Sequence, residues 1–234
     1  MLAIYKKEMR SYFINPIGYI YLGIFLVFSA LLCSYTTIIA GTYNTSQYFF
    51  YLIVAFIILI PLLTMRLFAE ERKMRTEQML LTAPVTITGM VLGKYFAMLA
   101  VWGVACLGMG FTPIVIGMFG EVNFASAYGA LLGFFLLGGA LIAVCTFVSS
   151  LTENQFASVV ITIAILLGLL LVGIFNRFIE SYAIRTILSW LSIYSRFTAF
   201  TYGVFDVGAI IYYFSISGVF LFLAVRVFEA RKYN

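Results

Sequence analysis

Six long apolar runs limit what this chain can fold into more than any other feature. They cover about residues 17–40, 48–65, 90–117, 127–149, 156–175 and 207–225, and Lys94 is the only Asp, Glu, Lys or Arg inside them. A run of ~20 residues at ~1.5 Å per residue crosses a hydrocarbon layer ~30 Å thick. Every backbone N–H and C=O must be satisfied there within the run itself, so each is expected to be a transmembrane helix. A composition of 64% hydrophobic and 10% charged residues leaves no stretch for a separate soluble domain, and no linker or internal repeat interrupts the pattern. The expected fold class is an all-α polytopic membrane protein, with residues 1–234 as one transmembrane domain.

The basic residues orient it. With an even number of spans both ends fall on one side, together with Lys6, Lys7, Arg10, Arg66, Arg72, Lys73, Arg75, Lys94, Arg226, Arg231 and Lys232. The other side receives Arg177, Arg185 and Arg196. That asymmetry predicts cytoplasmic termini, and Lys94 is expected to extend from the start of span three toward the head groups. Residues 1–16 place Tyr5, Met9, Tyr12 and Phe13 on one helical face among Lys6, Lys7, Glu8 and Arg10, which predicts an interfacial helix lying in the membrane surface. The run that follows is too long for a signal peptide and lacks a small-residue cleavage site.

Several chemistries are excluded. The chain has no histidine, which removes Ser–His–Asp triads and most zinc sites. Cys33, Cys106 and Cys145 lie singly in apolar runs and are expected to be packing residues. No GxxxxGK[ST] sequence occurs, so ATP is not expected to bind by that route. The centres of the runs hold no titrating pair for a proton relay or an intramembrane active site. Gly129 and Gly133 in span four, followed by Gly138 and Gly139, predict close helix packing within the chain.

Residues 66–85, RLFAEERKMRTEQMLLTAPV, are the one long polar stretch, with seven charged residues between Arg66 and Glu77. It must project from the membrane. Glu71 and Arg75 stand at i,i+4 in the favourable order, and nothing breaks a helix from Leu67 to Ala83. Its apolar residues form no single stripe: Leu67, Met74 and Leu81 share a face, while Phe68 and Met79 point elsewhere. These residues fit a helix gripped on several sides by membrane, chain and partner, or a solvated loop helix held by its own ion pairs. Residues 176–206 mix Arg177, Glu180, Arg185, Arg196 and Asp206 with aromatics. They are expected to form interfacial or re-entrant helices.

Three stretches resemble a known family: RLFAEERKMRTEQMLLTAPVTITGMVLGK, the turn SSLTENQ (149–155), and the tail from Arg196 to Tyr233. In these the chain is similar to ABC-2 type ABC transporter permease subunits, and most of all to the gliding-motility-type permeases. It departs from them in ending Tyr233-Asn234, where relatives often carry Arg-Trp. The resemblance implies six transmembrane helices, a cytoplasmic coupling helix between spans two and three, and re-entrant external helices between spans five and six. Glu71, Arg72, Met74, Arg75, Thr76, Glu77, Leu80 and Leu81 would contact a nucleotide-binding ATPase subunit, and Glu153, Asn154 and Gln155 would form a second cytoplasmic contact. Ile184, Leu188, Leu191, Arg196 and Phe197 would belong to an external gate. ATP and Mg2+ would be bound by the partner subunit and no cofactor by this chain. A second permease copy or a sister permease would complete a dimer in the bacterial cytoplasmic membrane, with no nucleic acid involved. A non-transporting scaffold that recruits a cytoplasmic protein through residues 66–85 is the alternative, and an intramembrane enzyme ranks third.

Overall fold

The computed structural model describes residues 1–14, 16–39, 44–64, 68, 86–118, 121–175 and 192–233. Among them the regular structure is helical: α1 (Leu2–Ile14), α2 (Pro16–Cys33) running into a π-helical stretch (Ser34–Ile39), α3 (Thr45–Thr64), α4 (Ile87–Met109), α5 (Thr112–Gly117), α6 (Phe124–Leu151), α7 (Gln155–Phe175), α8 (Ile193–Thr201) and α9 (Val207–Tyr233). Six helical stretches are long and apolar enough to cross a membrane, Gly18–Thr37, Thr45–Thr64, Ile87–Gly117, Phe124–Leu151, Gln155–Phe175 and Val207–Arg231. This is the six-span, all-α polytopic architecture that the apolar runs predict.

Local chemistry sets the helix ends. Thr86 and Asn123 cap α4 and α6, their side-chain oxygens accepting from the amides of Gly89 (3.2 Å) and Ser126 (3.2 Å). Span three is not one continuous helix. It breaks at Gly110 and Phe111, and Pro113 sits in the first turn of α5, where its missing N–H costs nothing. Pro61 falls inside α3, one turn from its end, and the Thr64 hydroxyl donates to the Ile60 carbonyl there (3.1 Å).

Helix α6 is the hub. Helices α3, α4, α5, α7, α8 and α9 all pack against it, and α9 does so most extensively. Small residues make this approach possible. A Cβ on Gly133 would lie 2.7 Å from Cγ of Phe200, and one on Gly138 would collide with the indole of Trp102. The Gly129–Gly133 pattern therefore receives α8 within the same chain, as close packing between membrane helices requires. Around Trp102 the rings of Phe25, Phe56 and Phe134 lie at centroid distances of 5.3, 4.0 and 5.0 Å, and its indole N–H donates to the Phe135 carbonyl (3.2 Å). Cys33, Cys106 and Cys145 are buried and free.

Of the apolar face predicted for α1, Tyr12 is buried and Met9 and Phe13 pack partly buried against the core. One expectation, that for Lys94, is corrected. The face that packs against α4 carries Ile4, Glu8 and Tyr12, all buried, because a carboxylate there meets a cation. That cation is Lys94. It does not reach for head groups: it is 1% exposed and paired with Glu8.

A candidate coupling end of the bundle

The ends of α4, α6 and α9 meet the first described residue of the polar run. Lys94, on the second turn of α4, has its ammonium 3.5 Å from Oε1 of Glu8 on α1. The same ammonium lies 4.8 Å from the centroid of the Phe68 ring. Phe68 is itself buried. Its amide donates to Oγ of Ser149 near the end of α6 (3.3 Å), and its ring is 4.7 Å from that of Phe228 on α9. Arg231 closes the cluster: its guanidinium lies 5.5 Å from the Phe228 ring and donates to the Ser150 carbonyl. Five chain segments are thus tied together at one end of the bundle by a buried ion pair, cation–ring contacts and hydrogen bonds to two serines.

Helix α1 can come this close because α4 presents Gly89 and Gly93 toward it. A Cβ on Gly93 would lie 3.1 Å from the Met1 carbonyl oxygen and 3.3 Å from Cβ of Ile4. The turn from α6 to α7 belongs to the same end. Asn154 Oδ1 accepts from the Phe156 amide (2.9 Å) and so caps α7, Gln155 opens that helix, and Glu153 is exposed at the apex. The second group of expected contacts, Glu153, Asn154 and Gln155, therefore lies within a few residues of Ser150 and its Arg231 partner. Glu71, Arg72, Met74, Arg75, Thr76, Glu77, Leu80 and Leu81 lie outside the described residues, as do Ile184, Leu188 and Leu191.

The opposite end is held differently. Ser126 at the start of α6 donates to the Thr201 carbonyl of α8, and its Oγ lies 3.2 Å from Oγ1 of Thr45 on α3. The Tyr213 hydroxyl of α9 donates to the Ile193 carbonyl (3.0 Å). Of the residues expected at an external gate, Phe197 is fully buried, 5.9 Å from the Phe49 ring, and Arg196 stands 5.9 Å from the Tyr212 ring. Gly203, at φ 75°, turns the chain out of α8. An open polar hollow of about 730 Å³ is lined here by Asn44, Thr45, Glu121, Asn123, Ser126 and Tyr202 among others.

Sequence reading missed the Glu8–Lys94 pair and the pocket for Phe68. A signal for the first existed. Gly89 and Gly93 form a second GxxxG pattern directly before Lys94, and Glu8 shares a helical face with Ile4 and Tyr12. For Phe68 the only hint was that it stood off the stripe formed by Leu67, Met74 and Leu81. Among the described residues no group of three or more His, Cys, Asp or Glu side chains could hold a metal ion.

Residues 34–229 match the family described as ABC-2 family transporter protein. The chain belongs to that family. The match runs from the π-helical end of the first span through the other five, and α1 precedes it. The chain matches no curated protein. As an ABC-2 member it is a multi-pass membrane protein and the permease component of an ABC transporter, a membrane subunit distinct from the catalytic ATPase with which such permeases work.

Proposed function

We propose that this permease is the transmembrane subunit of an exporter, moving substrate by alternating access driven by ATP hydrolysis in a separate nucleotide-binding subunit. ATP and Mg2+ bind to that partner. The polar run 66–85 receives the partner's motion through a coupling helix whose contacts are Glu71, Arg72, Met74, Arg75, Thr76, Glu77, Leu80 and Leu81. Glu153, Asn154 and Gln155 supply the smaller contact beside it. Two permeases, identical or sister chains, pair over two ATPase subunits in a bacterial cytoplasmic membrane, with both termini on the cytoplasmic side. Residues Arg196 and Phe197, with Ile184, Leu188 and Leu191, close the path on the external side.

The observation that carries this reading is the seat of Phe68. The polar run enters the bundle where α4, α6 and α9 converge, so a displacement of the run is delivered to three spans at once. That is the connection needed to shift a bundle between inward-open and outward-open states as rigid bodies. Lys94 is the one Asp, Glu, Lys or Arg inside the six apolar runs, and it sits near the start of its run. With no titrating relay across the membrane, the driving energy is imported.

The test is ATP turnover by the co-purified ATPase, with and without the permease, in reconstituted membranes. Glu77→Ala and Arg75→Glu are expected to abolish the permease-dependent change in turnover while leaving the chain folded. A wild-type chain that binds the ATPase without changing its turnover would be a scaffold, and the exporter reading would fall.

A further inference from the structure

We propose that Lys94 is a positioning residue that binds α1 into the path by which motion of the polar run reaches the spans. This rests on the coupling role proposed above for residues 66–85 and assigns that path a further member, the N-terminal helix.

The geometry is specific. Lys94 faces α1 on one side, through the Glu8 carboxylate, and the entry of the polar run on the other, through the Phe68 ring. A cation 1% exposed cannot leave its carboxylate without a large desolvation cost, so α1 and the first turns of α4 must move together. Gly93 removes the side chain that would hold the two helices apart. On its outer surface α1 exposes Lys6, Lys7 and Arg10, and Leu2 is 74% exposed. That combination suits contact with anionic head groups and the acyl boundary beneath them. Helix α1 then gives the bundle a purchase on the membrane plane. A push arriving at Phe68 meets resistance at Glu8, and the motion is converted into tilt of α4, α6 and α9, not into drift of the whole subunit. Without the Glu8–Lys94 link, α1 still packs on α4 through Ile4 and Gly93, but the tie between α1 and the Phe68 seat is lost and the same push is passed on less completely.

The measurement uses the full permease with its co-purified ATPase in nanodiscs containing anionic lipid. Lys94→Met is expected to keep the complex assembled and to reduce the permease-dependent change in ATP turnover at least fivefold, and Glu8→Gln to reduce it less. The exchange Glu8→Lys with Lys94→Glu is expected to recover more than half of the wild-type change. A purely structural role would lower thermal stability yet leave the change per folded complex unaltered. A folded Lys94→Met complex with the wild-type change in turnover overturns the proposal. If Lys94→Met does not fold, Glu8→Gln and Ser149→Ala decide it, and wild-type coupling in both overturns it equally. A folded exchange variant that recovers nothing shows that the ion pair is not the link. If Glu77→Ala uncouples while Lys94→Met does not, the proposal falls and the coupling reading stands. If the wild-type permease leaves ATP turnover unchanged, both fall.

Discussion

Gly138→Ala is the sharpest test of how the hub helix is packed. The added methyl would collide with the indole of Trp102, a side chain only 1% exposed. The ring has little room to yield. Its N–H is committed to the Phe135 carbonyl at 3.2 Å, and Phe25, Phe56 and Phe134 surround it. Overpacking a tight core costs about 1–3 kcal/mol, and displacing the indole adds the loss of one hydrogen bond, about 0.5–1.5 kcal/mol. Replacing a helical glycine with alanine returns about 1 kcal/mol. The net cost is about 0.5–3.5 kcal/mol, which at about 2–4 °C per kcal/mol for a chain of this size lowers Tm by about 1–14 °C. Gly168→Ala is the internal control. A Cβ there meets nothing within 4 Å, so only the helix-propensity gain remains and Tm is expected to hold or rise. Trp102→Phe in the Gly138→Ala background removes the colliding pyrrole edge and is expected to recover part of the loss. The assay is the residual monodisperse fraction of a fluorescent fusion in detergent after heating. Equal Tm for Gly138→Ala and Gly168→Ala would refute the close approach of α4 and α6.

Three further outcomes follow. Ser126→Ala removes the donor to Thr201 and the contact with Thr45, and should destabilise the chain by about 1–2 kcal/mol in the same assay, since a buried carbonyl loses its partner. Ser149→Ala strips the Phe68 amide of its acceptor, and should increase protease cleavage within residues 66–85 without altering the detergent-extracted yield. Single cysteines at Tyr43 and Asn123 should react with an impermeant maleimide from outside and one at Thr76 from inside only. The three native cysteines are buried, so background labelling stays low.

The spans were legible because each apolar run matches the bilayer in length, and a helix is the only form in which an isolated run satisfies its backbone. The close approach around Gly133 was legible for a related reason: small residues repeating at four-residue spacing have little other use in a membrane helix. What the sequence did not disclose are the pairings that reverse a residue's usual preference. Lysine near the end of a span ordinarily snorkels toward water. Lys94 is drawn inward because α1 supplies a carboxylate and Gly93 lets it come close, a fact visible only once α1 and α4 are set side by side. Glu8 misleads in the same way, marking as solvent-facing a helical face that is packed. Gly138 reads as part of a small-residue run, but nothing in the sequence says that a tryptophan from two helices earlier lies against it. At the end of the bundle proposed for coupling, a role for Glu153, Asn154 and Gln155 is implied by resemblance alone. The structure gives Asn154 a simpler local duty, capping α7.

That α6 is the hub has a consequence for how the protein is made. The hub is the fourth of six spans to leave the ribosome, so the first three must enter the membrane and wait without the surface they are shaped to meet. During that interval Trp102 has neither Phe134 beside it nor the Phe135 carbonyl to accept its N–H, and Phe68 has neither Ser149 nor Phe228. A nascent chain stopped before Phe124 therefore presents an unfilled aromatic socket within the bilayer, a surface open to chaperones and quality-control proteases until the next thirty or so residues arrive.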